Sequence, residues 1–405
     1  MDDVRNDGYA NFLSSFGTDR DPAQAVRATP DARLHQRGLE AIYRSDGIGR
    51  RIVDLPADEM TRQWITIAGD KAEERLAELE ELGAKQAVNK ALRWAGLYGG
   101  AIMVQIVDDG SADLEEPLNE ARVRGISDLL VYDRWQTSWT IQDISTDPGS
   151  RWYGRAEYIM VHPISGTPFR CHRTRFMVFD GQDVPDHLRQ RNDGWGDSRL
   201  QAPYRAMTRY AEAMGATSGI IRDFIQPTLS MSNLTNMIAA GEEDVVKKRL
   251  EMLGLSRSIL NVLLIDSDNE TYTKQASSVQ GIDKLLQELK HNLSAVTGIP
   301  QTKLFGRSPE GQNATGESDI RNFYDLVKSE QEDNMLPPVR HLVRLLDISD
   351  GGEPADRKVT PAPLWQPDAA EKAATLEQTA RAVALLLDQG VIAEDEAREI
   401  VDAVR

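Results

Sequence analysis

The residues best placed to do chemistry fall in a few short stretches. Gly306-Arg307-Ser308-Pro309-Glu310-Gly311 has the glycine spacing of a phosphate-cradling loop. Such a loop needs a lysine for the phosphates and then Ser or Thr for magnesium, directly after the last glycine. Gln312 and Asn313 stand there instead, which argues against ATP hydrolysis. Cys171 and His172, with His162 nearby, supply a thiol and two imidazoles but no fourth ligand and no CxxC spacing, so packing on a strand is the better reading. The six histidines, His35, His162, His172, His187, His291 and His341, show no HExxH or HxE spacing, and no GxSxG elbow is present. Asp266, Asp268 and Glu270 lack the length and the closing glutamate of a calcium loop and read as a solvated acidic turn. No catalytic residue, metal or cofactor is expected.

The elements around that glycine-bearing loop carry the organisation. Ile282, Leu285, Leu286, Leu289, Leu293 and Val296 recur at three- and four-residue steps, one apolar stripe of a helix that must pack on something. Gly298 and Pro300 stop it. Lys303 to Gly316, with three glycines and a proline, reads as a mobile loop too polar to build a core. Ser318 then caps a helix whose apolar positions run from Ile320 through Phe323, Val327, Met335 and Val339 to Leu346, roughly 40 Å at 1.5 Å per residue. Pro337 and Pro338 fall inside it, so a marked kink or a helix–helix corner is expected there.

The 405 residues exceed the length at which one core stops growing, so two or more lobes are expected. A single cysteine rules out an internal disulfide and fits a reducing interior. The amino terminus, Met1 to Asp7, lacks the basic and apolar regions of a signal peptide, and the best apolar run, Val383 to Leu387, ends at Asp388 far short of a membrane span. The net charge of −17 argues against tight phosphate binding. Taken by itself it reads as an acidic surface that keeps the protein soluble, although it does not argue against a channel through which DNA slides without sticking.

In chain order, residues 1–30 read as a loosely held arm. Two helical patterns follow from Leu34 to Trp64, the second bent by Pro56, then helices over Lys71–Leu82 and Gln86–Tyr98 and a strand over Ala101–Val107. Leu129–Tyr132, Trp135–Ile141, Glu157–Val161 and Arg175–Phe179 alternate as in a half-buried antiparallel sheet, so residues 86–180 make one α+β lobe. Helix returns from Arg199 to Ile225. A strand over Thr228–Met231, a helix over Glu242–Leu253 and a strand over Ser258–Ile265 come next. From Asp347 onward the chain holds thirteen acidic against six basic side chains, with helices expected over Ala369–Gln389 and Glu394–Val404.

The order of a helix, "GIPQTKLFG", a flexible stretch containing "NATGESD" and a long proline-broken helix resembles the stem, tunnel loop and long wing helix of tailed-phage portal proteins. "RRIVDLPADEMTRQW", "LYGGAIMVQI" and "HRTRFMVFDG" resemble the amino-terminal half of the same family, and "LWQPDAAEKAATLEQTARAVALLLDQGVIAEDEAREIV" its carboxy-terminal crown. The resemblance spans Ile48 to Val401, and the order of the motifs is more specific than any one of them.

The resemblance implies an α+β, predominantly helical portal fold assembled as a ring, dodecameric in the family. It divides the chain into an arm (1–33), wing (34–196), stem helix (197–224), clip (225–278), second stem helix (279–300), tunnel loop (301–317), long kinked wing helix (318–346) and crown (347–405). Double-stranded DNA would pass without sequence specificity through the channel, touched by Lys303, Arg307, Gln312 and Asn313. The clip would face the packaging motor, the terminase large subunit, and later the head–tail adaptors. Lys247, Lys248, Arg249 and Arg257 are candidates for those contacts or, on the blander reading, for a solvated helix face. The major capsid protein is a further implied partner, and the ATP would be spent by the terminase. The rival readings are another head–tail connector or minor capsid protein, and a phosphodiesterase-type enzyme. Some related phage families carry such a domain after the portal portion, and the end at Arg405 is expected to leave no room for one.

Overall fold

The computed structural model describes residues 33–223, 225–231, 244, 247–248, 251, 270–276, 281–306, 317–351, 357–365 and 369–388. The chain forms two compact units, one of residues 1–203 with 297–405 and one of residues 204–296.

The first unit opens with α1 (Gln36–Ser45) and α2 (Gly47–Arg62). The Asp46 carboxylate starts α2 by accepting from the amides of Ile48 (2.8 Å) and Gly49 (3.3 Å), which would otherwise lack partners at a helix N-terminus. Ile52, Val53, Ala57 and Met60 form its buried face, and the helix runs on through Pro56. After β1 (Ile65–Ile67) come α3 (Ala72–Glu81) and α4 (Ala84–Tyr98). The inward face of α4 is built on Ala84, Val88, Ala91 and Ala95, small residues that let neighbouring elements approach closely.

Gly99 ends α4 at φ 87°, in the left-handed region where glycine is at ease, and β2 (Gly100–Asp108) follows at once. With β3 (Gly125–Asp133), β4 (Thr137–Ser138), β5 (Tyr158–Val161), β6 (Phe169–His172) and β7 (Phe176–Asp180) it builds two antiparallel sheets, ordered β3-β2-β7 and β4-β5-β6. Ile102 and Val104 of β2 share a core with Phe176, Ile159, Val161, Cys171 and Trp195. The alternate residues Ala101, Met103 and Gln105 are buried as well, so β2 is covered on both faces and shows no clean polar alternation. Burial pushes the Cys171 thiol up to about 12. His172 hydrogen-bonds Thr174 (2.8 Å) and His162 pairs with Ser138 (2.9 Å).

Two features hold this lobe shut. Asp109, just past β2, takes a salt bridge from Arg175 at 2.7 Å, with side chains 1% and 0% exposed. Gly100 packs directly on Trp195, where an added Cβ would lie 2.0 Å from the indole. A short helix, α5 (Asp186–Arg191), precedes that tryptophan.

The second unit contains α6 (Tyr204–Asp223), the antiparallel pair β8 (Ile225–Met231) and β9 (Glu270–Ala276), and α7 (Ile282–Thr297). Of the stripe expected to be buried on α7, Leu293 is fully enclosed, whereas Leu285 and Val296 stand 57% and 45% exposed. Helical periodicity shows which face is apolar; whether anything covers it is decided elsewhere. Lys247 and Lys248 are helical and exposed. Arg249, Arg257 and the strand expected over Ser258–Ile265 lie outside the described residues.

The chain re-enters the first unit through α8 (Gln301–Phe305), α9 (Glu317–Glu330), a π-helical turn (Gln331–Met335), α10 (Leu336–Ser349), β10 (Val359–Pro361) and α11 (Ala369–Asp388). Where a marked kink or helix–helix corner is expected at Pro337-Pro338, the structure has that π turn just ahead of them, with both prolines in the first turn of α10. In an uninterrupted α-helix their rings would press on the carbonyls of Asp333 and Asn334; one wider turn moves those carbonyls away. Gln331, at the start of the turn, is buried and donates to the Met60 carbonyl at 2.6 Å. β10 pairs with β1, Thr360 opposite Thr66. Beside this pair, the buried Asp347 of α10 accepts from Arg75 of α3 (3.0 Å) and from Arg357 (2.8 Å), and Arg75 also pairs with Asp350.

Candidate functional site

The two helices that flank residues 307–316, α8 and α9, are joined by interlocked charged and aromatic side chains. Sequence alone assigns Lys303 to the loop itself. The structure corrects this: Lys303 to Phe305 belong to α8, which Pro300 begins and Gly306 ends at φ 72°. Leu304 (1% exposed) and Ile299 (2%) supply the reason, since their burial ties the segment to the core.

Lys303 is held at its head group by two neighbours. Its Nζ lies 2.6 Å from Glu59 Oε1, on a carboxylate 7% exposed, and 5.3 Å from the Tyr324 ring centroid. Burial alone would lower its pKa, but the bonds to Glu59 and Tyr324 outweigh that and leave it above the ordinary lysine value. Glu59 Oε2 in turn lies 2.8 Å from Arg62 Nε. Arg62 reaches on to the Tyr324 hydroxyl (3.3 Å) and the Leu364 carbonyl (2.9 Å), and its guanidinium sits 5.6 Å from the Tyr324 ring. Arg51 donates to the Leu304 carbonyl at 3.2 Å. Tyr324 meets Trp365 edge-on at 6.4 Å, and Arg321 stacks 4.9 Å from Trp365.

The effect of this cluster is mechanical. α2 holds α8 through Arg51 and Glu59 and α9 through Arg62, so both helices that flank residues 307–316 are tied to one element. Sequence reasoning missed Glu59, Arg51, Arg62 and Tyr324. One signal was available: Glu59 falls in the apolar pattern of Ile52, Val53 and Met60, and a carboxylate there calls for a cationic partner. Arg307, Gln312 and Asn313 lie outside the described residues. Among the described residues no cluster of three metal-ligating side chains occurs, and no helix is long and apolar enough to cross a membrane.

Set beside known proteins, residues 38–385 match the family described as phage portal protein. The chain therefore belongs to the phage portal protein family. Its fold is that of two neck structures of gene transfer agent particles. One, from the empty particle computed with C6 symmetry, is 12% identical with a TM-score of 0.57 and covers 91% of this chain and 94% of that one. The other, from the native particle computed with C12 symmetry, is 13% identical with a TM-score of 0.56, covering 93% and 97%. Among relatives by sequence, the anti-CBASS protein Acb1 of Caulobacter sp. (strain RHG1) is 30% identical over 89% of this chain, which spans 59% of that protein's length.

Proposed function

We propose that about a dozen copies of this chain close into a ring around a channel for double-stranded DNA, through which the genome is packaged, retained and released. The portal-family match, which runs across both units, carries this reading. The necks with the same fold were computed with six- and twelvefold symmetry, in keeping with it. A ring closed by rotation needs two different complementary faces on each subunit. On this reading residues 204–296 provide the stem helices and the clip, which docks the terminase and then the head–tail adaptors, and the capsid protein surrounds the wing. The carboxy-terminal helices form the crown. The role is structural rather than catalytic, with ATP hydrolysed by the terminase. Light scattering with negative-stain imaging of the purified protein tests this: an annulus of about twelve copies is expected, and a monomer that stays single even beside co-expressed capsid protein would overturn it.

Within the ring, we assign the DNA-facing constriction to residues 307–316, with Arg307, Gln312 and Asn313 as the contacts and Lys303 as the anchor beneath them. Alanine at those three positions should leave the melting temperature and the mass unchanged while less DNA is retained in heads. Lys303→Ala should instead lower stability by about 1–3 kcal/mol, because the buried Glu59 loses a partner. The reverse pattern would show the division of labour to be wrong.

A further inference from the structure

Three arginines of the β lobe stand together without acidic partners. Arg151 and Arg155 lie exposed in the turn between β4 and β5, and Arg173, half-buried, follows β6. The Arg151 guanidinium sits 4.4 Å from the Trp152 ring centroid and that of Arg173 sits 4.7 Å from the same centroid. Arg173 also lies 4.9 Å from the Phe176 ring and donates to the Phe176 carbonyl at 3.0 Å. Among the described residues none of the three forms an ion pair with a carboxylate, whereas their neighbours do: Arg170 pairs with Asp143 at 2.6 Å and Arg175 with Asp109 at 2.7 Å. Asp180, the acid whose field reaches Arg173, is itself engaged by Arg189 at 3.1 Å. Burial first, and then the charges of Arg155 and Arg151, bring Arg173 down to about 10. Like charges crowded in this way raise the energy of the free protein, and a bound polyanion relieves it.

The aromatic neighbours favour one kind of polyanion. Trp152 is half-buried among the guanidiniums, and Tyr153 beside it is 59% exposed. An acidic protein surface would use the cations and leave the tyrosine ring in water. A nucleic-acid chain uses both, phosphates on guanidiniums and sugar or base on the aromatic face. The net charge of −17 does not prevent this, because charges more than about 10 Å away are largely screened at 0.1 M salt. We propose that Arg151, Arg155 and Arg173, with Trp152 and Tyr153, form a phosphodiester-binding site on the β lobe that is distinct from the loop at 307–316.

The test is fluorescence anisotropy of the full chain with a labelled DNA duplex. With three phosphate contacts, affinity should fall with a log–log salt slope of about −2.7, or roughly 40-fold for a fourfold rise in salt. Substituting the two exposed arginines, R151Q/R155Q, is expected to weaken binding at least about tenfold and to flatten the slope by about 1.8. R173Q should act in the same direction, and if it unfolds, the exposed pair decides. The site is refuted if the wild-type chain does not bind, if R151Q/R155Q binds like wild type, or if Arg307→Ala abolishes binding in its place. Displacement of the duplex by poly-glutamate at lower concentration than by unlabelled DNA would identify an acidic protein surface and overturn the nucleic-acid assignment. None of these outcomes depends on ring closure.

Discussion

Asp109→Ala is expected to lower the stability of the first unit by about 3–5 kcal/mol, the usual consequence of stranding a buried charge. The stranded group is Arg175, fully buried, whose remaining bond is from Nε to the Glu116 carbonyl at 2.6 Å and whose Nη1 has no hydrogen-bond partner. Asp109 also accepts from the Asn119 amide (2.9 Å) and the Ser111 amide (3.2 Å), so its loss frees a loop together with the salt bridge. Chemical denaturation of wild type and variant measures the difference, and a loss under about 1 kcal/mol would mean that water reaches Arg175. The pH dependence has a definite sign. Burial raises the Asp109 pKa, but the Asn119 and Ser111 amides and then Arg175 outweigh it, so the folded value lies below the ordinary one. Its contribution is therefore complete above about pH 4, the unfolded carboxyl value, and disappears as pH falls through the lower folded value. The gap between wild type and Asp109→Ala should be level at neutral pH and narrow only in acid.

Gly100→Val should be at least as damaging, by overpacking. A Cβ at this position lies 2.0 Å from Trp195 Cε3 and 2.6 Å from Cδ2, and the indole is 4% exposed in the lobe core and 5.3 Å from the Trp139 ring. The atoms met belong to the rigid bicyclic ring itself and not to the far end of a flexible side chain, so relief requires the whole indole or the β2 backbone to shift. Overpacking a tight core costs about 1–3 kcal/mol, and more where no rotamer escapes. Tryptophan emission should shift to the red as Trp195 leaves its site, and the thermal transition should fall with it. The double variant with Trp195→Ala reports on mechanism: if the clash is with the indole, the two losses combine to much less than their sum. Additive losses would place the strain in the backbone.

Local periodicity by itself makes several elements legible. The helix expected over Gln86–Tyr98 is α4, and the strand expected over Ala101–Val107 is β2, each shifted by one or two residues. What periodicity hides depends on partners distant in sequence. β1 and β10 have three residues each, too few for a pattern, and exist because each is the other's partner. β6, four residues with Cys171 and His172 buried, has no alternation to reveal it. On α3 the leucines suggest an ordinary apolar face, yet Arg75 is as enclosed as Leu79, both at 1%, because Asp347, Asp350 and Glu78 surround its guanidinium. The loop base has the same logic: Lys303 reads as a cation for a ligand, and Glu59, 244 residues earlier, takes it.

The pairing of β1 with β10 also has a bearing on the order of synthesis. Thr66 and Thr360 are 294 residues apart. At ribosomal rates of about 5–20 residues per second, the first strand emerges roughly 15–60 s before its mate can exist. Throughout that interval Ile65 and Ile67 have no strand to lie against and Arg75 has no Asp347. The whole excursion through residues 204–296 is translated in the meantime. Bringing such distant ends together costs on the order of 5 kcal/mol in chain entropy, so the strand pair and the Asp347 ion pairs must form as one late event. A nascent copy is thus kept from completing its first unit until residues 359–361 have been made.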